Sequence, residues 1–388
     1  MASLKIAAMH LSFPETLLII FFILYFITFL FISLGWNQLS EIPLKTPLQP
    51  IHVSILIAAR NEADTLPLLL NDLMHQSYPP EWFDIIIIDD HSDRSIAGLN
   101  AITTFPANNL KIIELQGNKQ GKKAALLEGA KQSTAELLLF TDADCRVPPD
   151  WIRVMVNYYQ HSLAELLIGL VDYTSNPGFI GNFYRADLLS LVVSGAGTAK
   201  LGIPTLCNGA NLAVKRTRYY GLSEMLNIKI PSGDDIFLLH ALKKLNRKAI
   251  TVVKDNRSVV LTNPPKRIID FFNQRTRWAS KSFKYTDMAT ISLAILVYLT
   301  NTALLVALLL KISGSLSWFI FSVLVAIKIL ADCLILAAGL WFFGNKKIVF
   351  LIPFYEILYF FYAIVTPLPG IMNFYSWKGR NSKLYNLY

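Results

Sequence analysis

The sequence predicts an α/β domain built on a mostly parallel, open sheet and flanked by membrane-spanning helices. Short apolar runs alternate with stretches of helical spacing: VSILIAA (Val53 to Ala59), IIII (Ile85 to Ile88), KIIEL (Lys111 to Leu115) and LLLF (Leu137 to Phe140). That rhythm is the mark of strand–helix–strand units whose sheet is covered on both faces. Carboxylates follow two of these runs directly, in IDDHSD (Ile88 to Asp93) and FTDADC (Phe140 to Cys145). They fall at the C-terminal strand ends, where an open α/β sheet binds its ligands. Hydrophobic stretches long enough to cross a bilayer lie on both sides of this segment.

The bulk numbers agree with a mixed architecture. The chain is 53% hydrophobic over 388 residues, with mean hydropathy +0.42, too apolar for an ordinary soluble enzyme and too charged to be membrane throughout. A net charge of +9 favours anionic lipid headgroups and phosphate-bearing substrates. Nucleic acid is excluded as a partner, because the basic residues cluster beside apolar segments and no nucleic-acid fingerprint is present. Cys145, Cys207 and Cys333 have no metal-like spacing and no even count, which points to a reducing compartment without disulfides.

Taken in order, Leu17 to Leu34 is almost continuously apolar and reads as an uncleaved anchor, with a signal peptide as the competing account. Residues 1–40 form this anchor, and Glu41 to Pro50, with its prolines, is a linker. The soluble domain spans residues 50–286. Within it Glu62 to His75 has helical spacing at Leu66, Leu69, Leu70 and Leu73, and Lys122 to Gln132 is a second helix. Beyond Pro148 the pattern loosens. Gly178 to Ala199 reads as an amphipathic surface helix, and the aromatic, cationic stretch Lys266 to Tyr285 as a helix or loop at the bilayer interface. Residues 287–388 hold three more apolar segments, Ala289 to Leu310, Leu316 to Phe343 and Ile348 to Pro367, and a short tail. Positively charged GNKK (Gly344 to Lys347) belongs in the cytoplasm, and the soluble domain with it. Pro353, Pro367 and Pro369 make the last segment a kinked span or a re-entrant element, leaving the side of the tail open.

Asp142 and Asp144 flank Ala143 after a buried strand, and alternating carboxylates can bind a hard divalent cation that holds a diphosphate. A solvated turn is the plain alternative. Asp89 and Asp90 end the second strand. One can accept hydrogen bonds from a base or ribose, and the other can close an Asx-type turn with Ser92 and Asp93. Gly121-Lys122-Lys123 opens a helix, a natural phosphate site, although an exposed lysine pair is also simply a solvated face. Asp234 and Asp235 precede the IFLLHAL helix. We expect Asp235 as general base on an acceptor hydroxyl with Asp234 as its support, against plain N-capping by Ser232 or Asp234. Gln274, Arg277 and Trp278 share one helical face. Arg277 suits a diphosphate and Trp278 a sugar ring, unless both are interfacial anchors of the next span. Lys328 and Asp332 lie four residues apart in an apolar segment, where each would cost about 2.5–3.5 kcal/mol unpaired. A mutual ion pair facing other helices, or the lining of a glycan or lipid path, accounts for them.

Together these motifs resemble the membrane-bound, inverting family 2 glycosyltransferases, such as ceramide glucosyltransferases and polysaccharide synthases. The resemblance covers roughly Val53 to Trp278 and implies a Rossmann-like GT-A domain of the nucleotide-diphospho-sugar transferase type. It implies that AARNE (Ala58 to Glu62) is the nucleotide-contacting first loop, with Ala59 and Glu62 at the donor. It implies that Asp90 binds uridine, Lys122 and Asp142 contact the nucleotide-sugar, and Asp142 with Asp144 hold Mg²⁺ or Mn²⁺. CNGANLAVKR (Cys207 to Arg216) matches the acceptor side, at Asn208 and Gly209. Asp235 matches the catalytic base, and Gln274, Arg277 and Trp278 the Q-x-x-R-W motif. The base motif departs from the family's usual Glu-Asp, reading Gly233-Asp234-Asp235. The implied partners are a UDP-linked sugar, a lipid or glycan acceptor, and membrane lipids, in a bacterial cytoplasmic membrane with the catalytic domain inside. The C-terminal membrane region, about 100 residues, favours a single transfer over processive polymer synthesis.

Overall fold

The computed structural model describes residues 12–44, 49–94, 96, 109–117, 120–175, 178–222, 233–371, 376–377 and 380–381. The strands are β1 (Val53–Ala59), β2 (Phe83–Asp89), β3 (Leu110–Glu114), β4 (Leu137–Phe140), β5 (Leu166–Gly169), β6 (Val171–Tyr173), β7 (Leu212–Lys215), β8 (Ile250–Val253) and β9 (Val260–Thr262). The helices are α1 (Phe13–Asn37), α2 (Leu66–Met74), α3 (Lys122–Gln132), α4 (Trp151–His161), α5 (Phe179–Lys200), α6 (Arg216–Leu222), α7 (Asp234–Asn246), α8 (Ile268–Ser282), α9 (Met288–Ile312), α10 (Trp318–Phe342), α11 (Ile352–Val365) and α12 (Pro367–Ile371).

The main sheet has seven strands in the order β3-β2-β1-β4-β7-β5-β8. Its first four run parallel, β5 pairs parallel with β8, and β7 runs antiparallel to β4 and β5. The expectation of a mostly parallel sheet holds, with β7 as the departure. This strand occupies CNGANLAVKR, whose short LAVK run carries no turn signal of its own. The sheet is buried on both faces because alternate side chains enter different cores. Val53, Ile55 and Ile57 pack with α2 and α4, while Leu56 faces a core that includes Leu126 of α3, Val193 of α5 and Leu239 of α7. The second core continues into α1 and α10 through Tyr25, Trp36 and Ile335.

The helix predicted as an amphipathic surface element, α5, is instead largely buried against α1 and α10. Small residues permit this. A Cβ on Gly197 would lie 2.2 Å from the Ile32 carbonyl oxygen, and one on Gly35 would lie 2.5 Å from that of Gly197. The hydroxyls of Thr198 and Ser190 on α5 are satisfied locally, Thr198 Oγ1 donating to the Ser194 carbonyl at 2.8 Å and Ser190 Oγ to that of Asp187 at 2.8 Å.

Four helical segments, Phe13–Asn37, Met288–Ile312, Trp318–Phe342 and Lys346–Gly370, are long and apolar enough to cross a membrane. A Ser12–Glu15 capping box opens α1. The last segment differs from the rest. Its start adjoins the C-terminal end of α10, where Phe342 and Phe343 pack on Trp36 and Arg185 Nη2 donates to the Phe343 carbonyl at 3.1 Å. Lys254, beyond β8, caps the same place by donating to the Trp36 carbonyl at 3.0 Å. Its far end, α12, packs on α8, so closely that a Cβ on Gly370 would sit 3.2 Å from the Ser280 nitrogen. Both ends of this segment therefore pack against parts of the chain that adjoin the α/β domain.

Candidate active site

The parallel register of β1, β2 and β4 brings their C-terminal ends to one edge, with Ala59 opposite Asp89 and Leu56 opposite Phe140. Asp89 and Asp90 divide the labour. Asp89 Oδ1 accepts from the Ser92 nitrogen at 3.1 Å and Oγ at 2.5 Å, closing an Asx turn. Asp90 lines a cavity of about 580 Å³ together with Ala59 and Arg60. Arg60 Nη1 donates to the Asp90 carbonyl at 2.7 Å, tying the two strand ends together.

Asp142 and Asp144 stand on the same wall. Ligand atoms of Asp142, Asp144 and Cys145 all lie within 4.8 Å of one another. Burial pushes the Cys145 thiol well up, so the donors offered here are carboxylate oxygens. Gly121, with φ +94°, turns the chain into α3 and presents Lys122. Lys122 Nζ lies 2.5 Å from Asp142 Oδ1 and 3.9 Å from Asp234 Oδ2. Burial pulls this ammonium's pKa down, but Asp142 and Asp234 outweigh it and hold the group above the usual lysine range.

Gly233 adopts φ +89°, and α7 then begins with Asp234 and Asp235 in its first turn. The N-cap is Gly233, without a side-chain bond, and Asp235 Oδ1 accepts from the Ile236 nitrogen in the first turn at 2.8 Å. Ser232 lies outside the described residues. Asp235 Oδ2 accepts from the Gly209 nitrogen at 3.0 Å, joining the base candidate to the acceptor-side loop. Asn208 Oδ1 accepts from the Ala210 nitrogen at 3.0 Å and fixes that loop's turn. Burial raises the pKa of Asp234 against the opposing pull of Lys122.

On α8, Gln274, Arg277 and Trp278 all reach the same cavity. Two residues the sequence reading passed over organise this helix. Arg275 is buried and ion-paired with Asp187 of α5, which also accepts from the Tyr362 hydroxyl. Its guanidinium lies 4.2 Å from the Trp278 ring centroid, so one indole face is covered by a cation. Arg275 Nη1 also donates to Gln274 Oε1 at 2.6 Å. Lys281, one helical turn beyond Arg277, has its pKa pushed down to about 8 by burial, with Asp235 pulling the other way.

Glu62 stands apart from this assembly. Its carboxylate accepts from Thr65 Oγ1, its carbonyl accepts from the Leu66 nitrogen at 2.9 Å, and it is not on the cavity wall. These two contacts lie at the start of α2. The cavity has a second half between the long apolar helices, walled by Tyr25, Tyr298, Asp332, Tyr355, Glu356 and Tyr359. The Lys328–Asp332 ion pair is present, and Glu356 joins it at 2.7 Å from Lys328 Nζ.

The α/β sheet with its acidic strand ends defines a transferase domain of GT-A type. Residues 54–203 match the model of the Glycosyl transferase family 2, so the chain carries a glycosyltransferase domain of that family. Among solved structures, the chain is similar to a mannosyltransferase from Pyrobaculum calidifontis, in complex with GDP-Man and Mn²⁺. The TM-score is 0.57 at 18% identity, over 91% of this chain and 98% of that one, a likeness of fold. It is 28% identical over 126 residues to the glycosyltransferase AglE of Haloferax volcanii, covering 32% of this chain and 41% of that protein. It is 25% identical over 237 residues to a poly-beta-1,6-N-acetyl-D-glucosamine synthase of Staphylococcus epidermidis, covering 58% and 53%. An undecaprenyl-phosphate 4-deoxy-4-formamido-L-arabinose transferase of Pectobacterium carotovorum is 28% identical over 28% of this chain and 33% of its own. The chain thus spans about half or less of the length of these curated relatives.

Proposed function

We propose that this protein is an inverting glycosyltransferase that moves one sugar from a UDP-linked donor to an acceptor held at the membrane. The observation that carries the reading is a single cavity. It gathers Asp90, Lys122, Asp142, Asp144, Asp235 and Arg277 on its walls and continues between apolar helices.

In this reading Ala59 and Asp90 receive the nucleoside, Asp90 accepting hydrogen bonds from base or ribose. The diphosphate lies toward Lys122 and Arg277, whose charges offset that of the leaving group. Asp142 and Asp144 fit a hard divalent ion, Mg²⁺ or Mn²⁺, because they offer clustered carboxylate oxygens beside a neutral thiol. When bound, such an ion neutralises charge on the departing diphosphate. Asp235, held by the Gly209 N–H, takes the proton from the acceptor hydroxyl. The hydroxyl oxygen bonds to the anomeric carbon from the face opposite the diphosphate. The carbon–oxygen bond to the diphosphate breaks, and the configuration inverts. Asp234 keeps Lys122 near both acidic walls, and Trp278 offers its uncovered indole surface to the sugar. The positive GNKK connection and the side on which α10 ends support a cytoplasmic domain in a bacterial inner membrane.

The test is UDP release by the full chain in lipid, from a panel of nucleotide-sugars with Mg²⁺ or Mn²⁺, with Asp142→Asn as control. Metal-supported release with a glycan extracted into organic solvent is expected. Pyrophosphate release, or no donor turnover despite nucleotide binding, overturns the reading. A ladder of products would favour processive synthesis, which the cavity's reach between the helices could also serve.

A further inference from the structure

The cavity is divided by charge. Its domain half carries Arg60, Lys122, Arg277 and Lys281, and Arg275 lines the boundary between the halves with its charge held by Asp187. Its membrane half carries Asp332 and Glu356 with the phenols of Tyr25, Tyr298, Tyr355 and Tyr359, and none of the cavity's cations. Lys328 stands behind the wall of this half, 1% exposed and held by both Asp332 and Glu356. One charged lysine between two carboxylates leaves a cluster that is neutral or negative as long as either carboxylate is ionised. A phosphate placed there would meet carboxylates and no free ammonium, at a depth where desolvated charge is expensive.

The same wall is well made for hydroxyl groups. Tyr25 O–H already donates to Asp332 Oδ1 at 2.6 Å, which fixes that carboxylate. The Lys328 ammonium lies 4.9 Å from the Tyr359 ring centroid and orients that ring. Tyr359 Oη makes no hydrogen bond among the described residues, leaving a phenol that can donate and accept at the cavity. Carboxylates and phenols on an otherwise apolar wall recognise neutral polyols, accepting and donating hydrogen bonds along hydrocarbon surface.

We infer that the membrane half of this cavity is an acceptor subsite for a lipid with an uncharged, hydroxyl-bearing headgroup, and that it disfavours phosphate-linked lipids. This rests on the transferase reading above and adds the acceptor's chemical class. It also separates this chain from its undecaprenyl-phosphate-named relative, on the charges of α10 and α11 alone.

The test measures binding of two radiolabelled lipids, a β-glucosyl dioleoylglycerol and undecaprenyl phosphate, to the full chain in phosphatidylcholine nanodiscs. Wild-type protein, Tyr359→Phe and Glu356→Gln are compared, with UDP binding followed in parallel. The neutral glycolipid is expected to bind more tightly than the polyprenyl phosphate. Tyr359→Phe should weaken it about fivefold, the equivalent of one net hydrogen bond, with UDP binding and the melting temperature unchanged. Glu356→Gln keeps the shape of the wall while removing negative charge, and should narrow the preference by improving the phosphate lipid. Equal or tighter binding of the phosphate lipid, binding of neither lipid while UDP still binds, or full-strength glycolipid binding by Tyr359→Phe overturns the inference. Loss of UDP binding by wild-type protein would instead strike the transferase reading itself.

Discussion

Replacing Arg275 by Met keeps most of the side-chain volume and removes the charge. In the folded protein Arg275 is 5% exposed and Asp187 1% exposed, so the variant strands a carboxylate where water does not reach. Breaking such a pair from one side costs about 3–5 kcal/mol. An independent bound agrees, since the carboxyl can escape by binding a proton. Protonating a group of ordinary carboxylate pKa at pH 7 costs about 4 kcal/mol, and the Tyr362 hydroxyl remains to hold the result. Burial already drives the Asp187 carboxyl upward, with only Arg275 opposing it. Without Arg275 its folded pKa stands still further above the unfolded value, so the loss of stability is full at neutral pH and shrinks on acidification. The gap between variant and wild type should narrow from pH 7 to pH 5. Adding Asp187→Leu should bring stability back to within about 1 kcal/mol of wild type, because an apolar pair carries no stranded charge. The assay is guanidinium unfolding in a mild non-ionic detergent, followed by tryptophan fluorescence. A single-variant cost under about 1 kcal/mol, or a double variant equal to the sum of the singles, would refute the buried-pair account. Donor turnover measured alongside should fall in the single variant, since Arg275 braces the Trp278 ring and Gln274.

Other outcomes follow from the same geometry. Asp235→Asn should lower transfer by about 10²–10⁴-fold in a protein that still folds; near-normal turnover in the folded variant would remove it as the base. Donor affinity should fall as pH rises through about 8, where the buried Lys281 loses its proton in the free protein. A bound diphosphate favours the ammonium, so binding above that pH must take up a proton, and in Lys281→Met this part of the pH dependence should flatten. Gly197→Leu should destabilise the protein through the α1–α5 contact, since the added Cβ alone would stand 2.2 Å from the Ile32 carbonyl oxygen; equal unfolding midpoints would show that the helices can part without loss. Single cysteines at Lys347 and Leu368 should both be labelled by a membrane-impermeant maleimide from the catalytic side, whereas labelling from opposite sides would make the last segment a true span.

The parallel half of the sheet was legible because its strands are buried on both faces and so read as unbroken apolar runs. VSILIAA and LLLF match β1 and β4 residue for residue, and Lys122 to Gln132 matches α3. Antiparallel β7 was not, since LAVK is short and sits inside a stretch read for its chemistry. The misreading of α5 has a different cause. Scattered Asp, Ser and Thr looked like a solvated face, but they bond within the helix or across to α8. Most of the candidate site could be read because acidic groups at strand ends are local signals. Arg275 with Asp187, and Glu356 with Lys328, are pairs between distant segments. The sequence reading marked Lys328 with Asp332 as ionisable residues in an apolar run, and passed over Asp187 and Glu356.

Lys122 gives the cleft a resident counterion. With its ammonium set between Asp142 and Asp234, the acidic walls need not wait for a ligand to keep them from repelling one another. In the proposed function, arrival of a diphosphate is then an exchange of partners around a lysine already in place, so little rearrangement stands between the resting and loaded forms. The same exchange runs backwards after transfer. Asp142 can reclaim the ammonium as the nucleotide departs, so the site that draws the donor in also helps to let the spent diphosphate go.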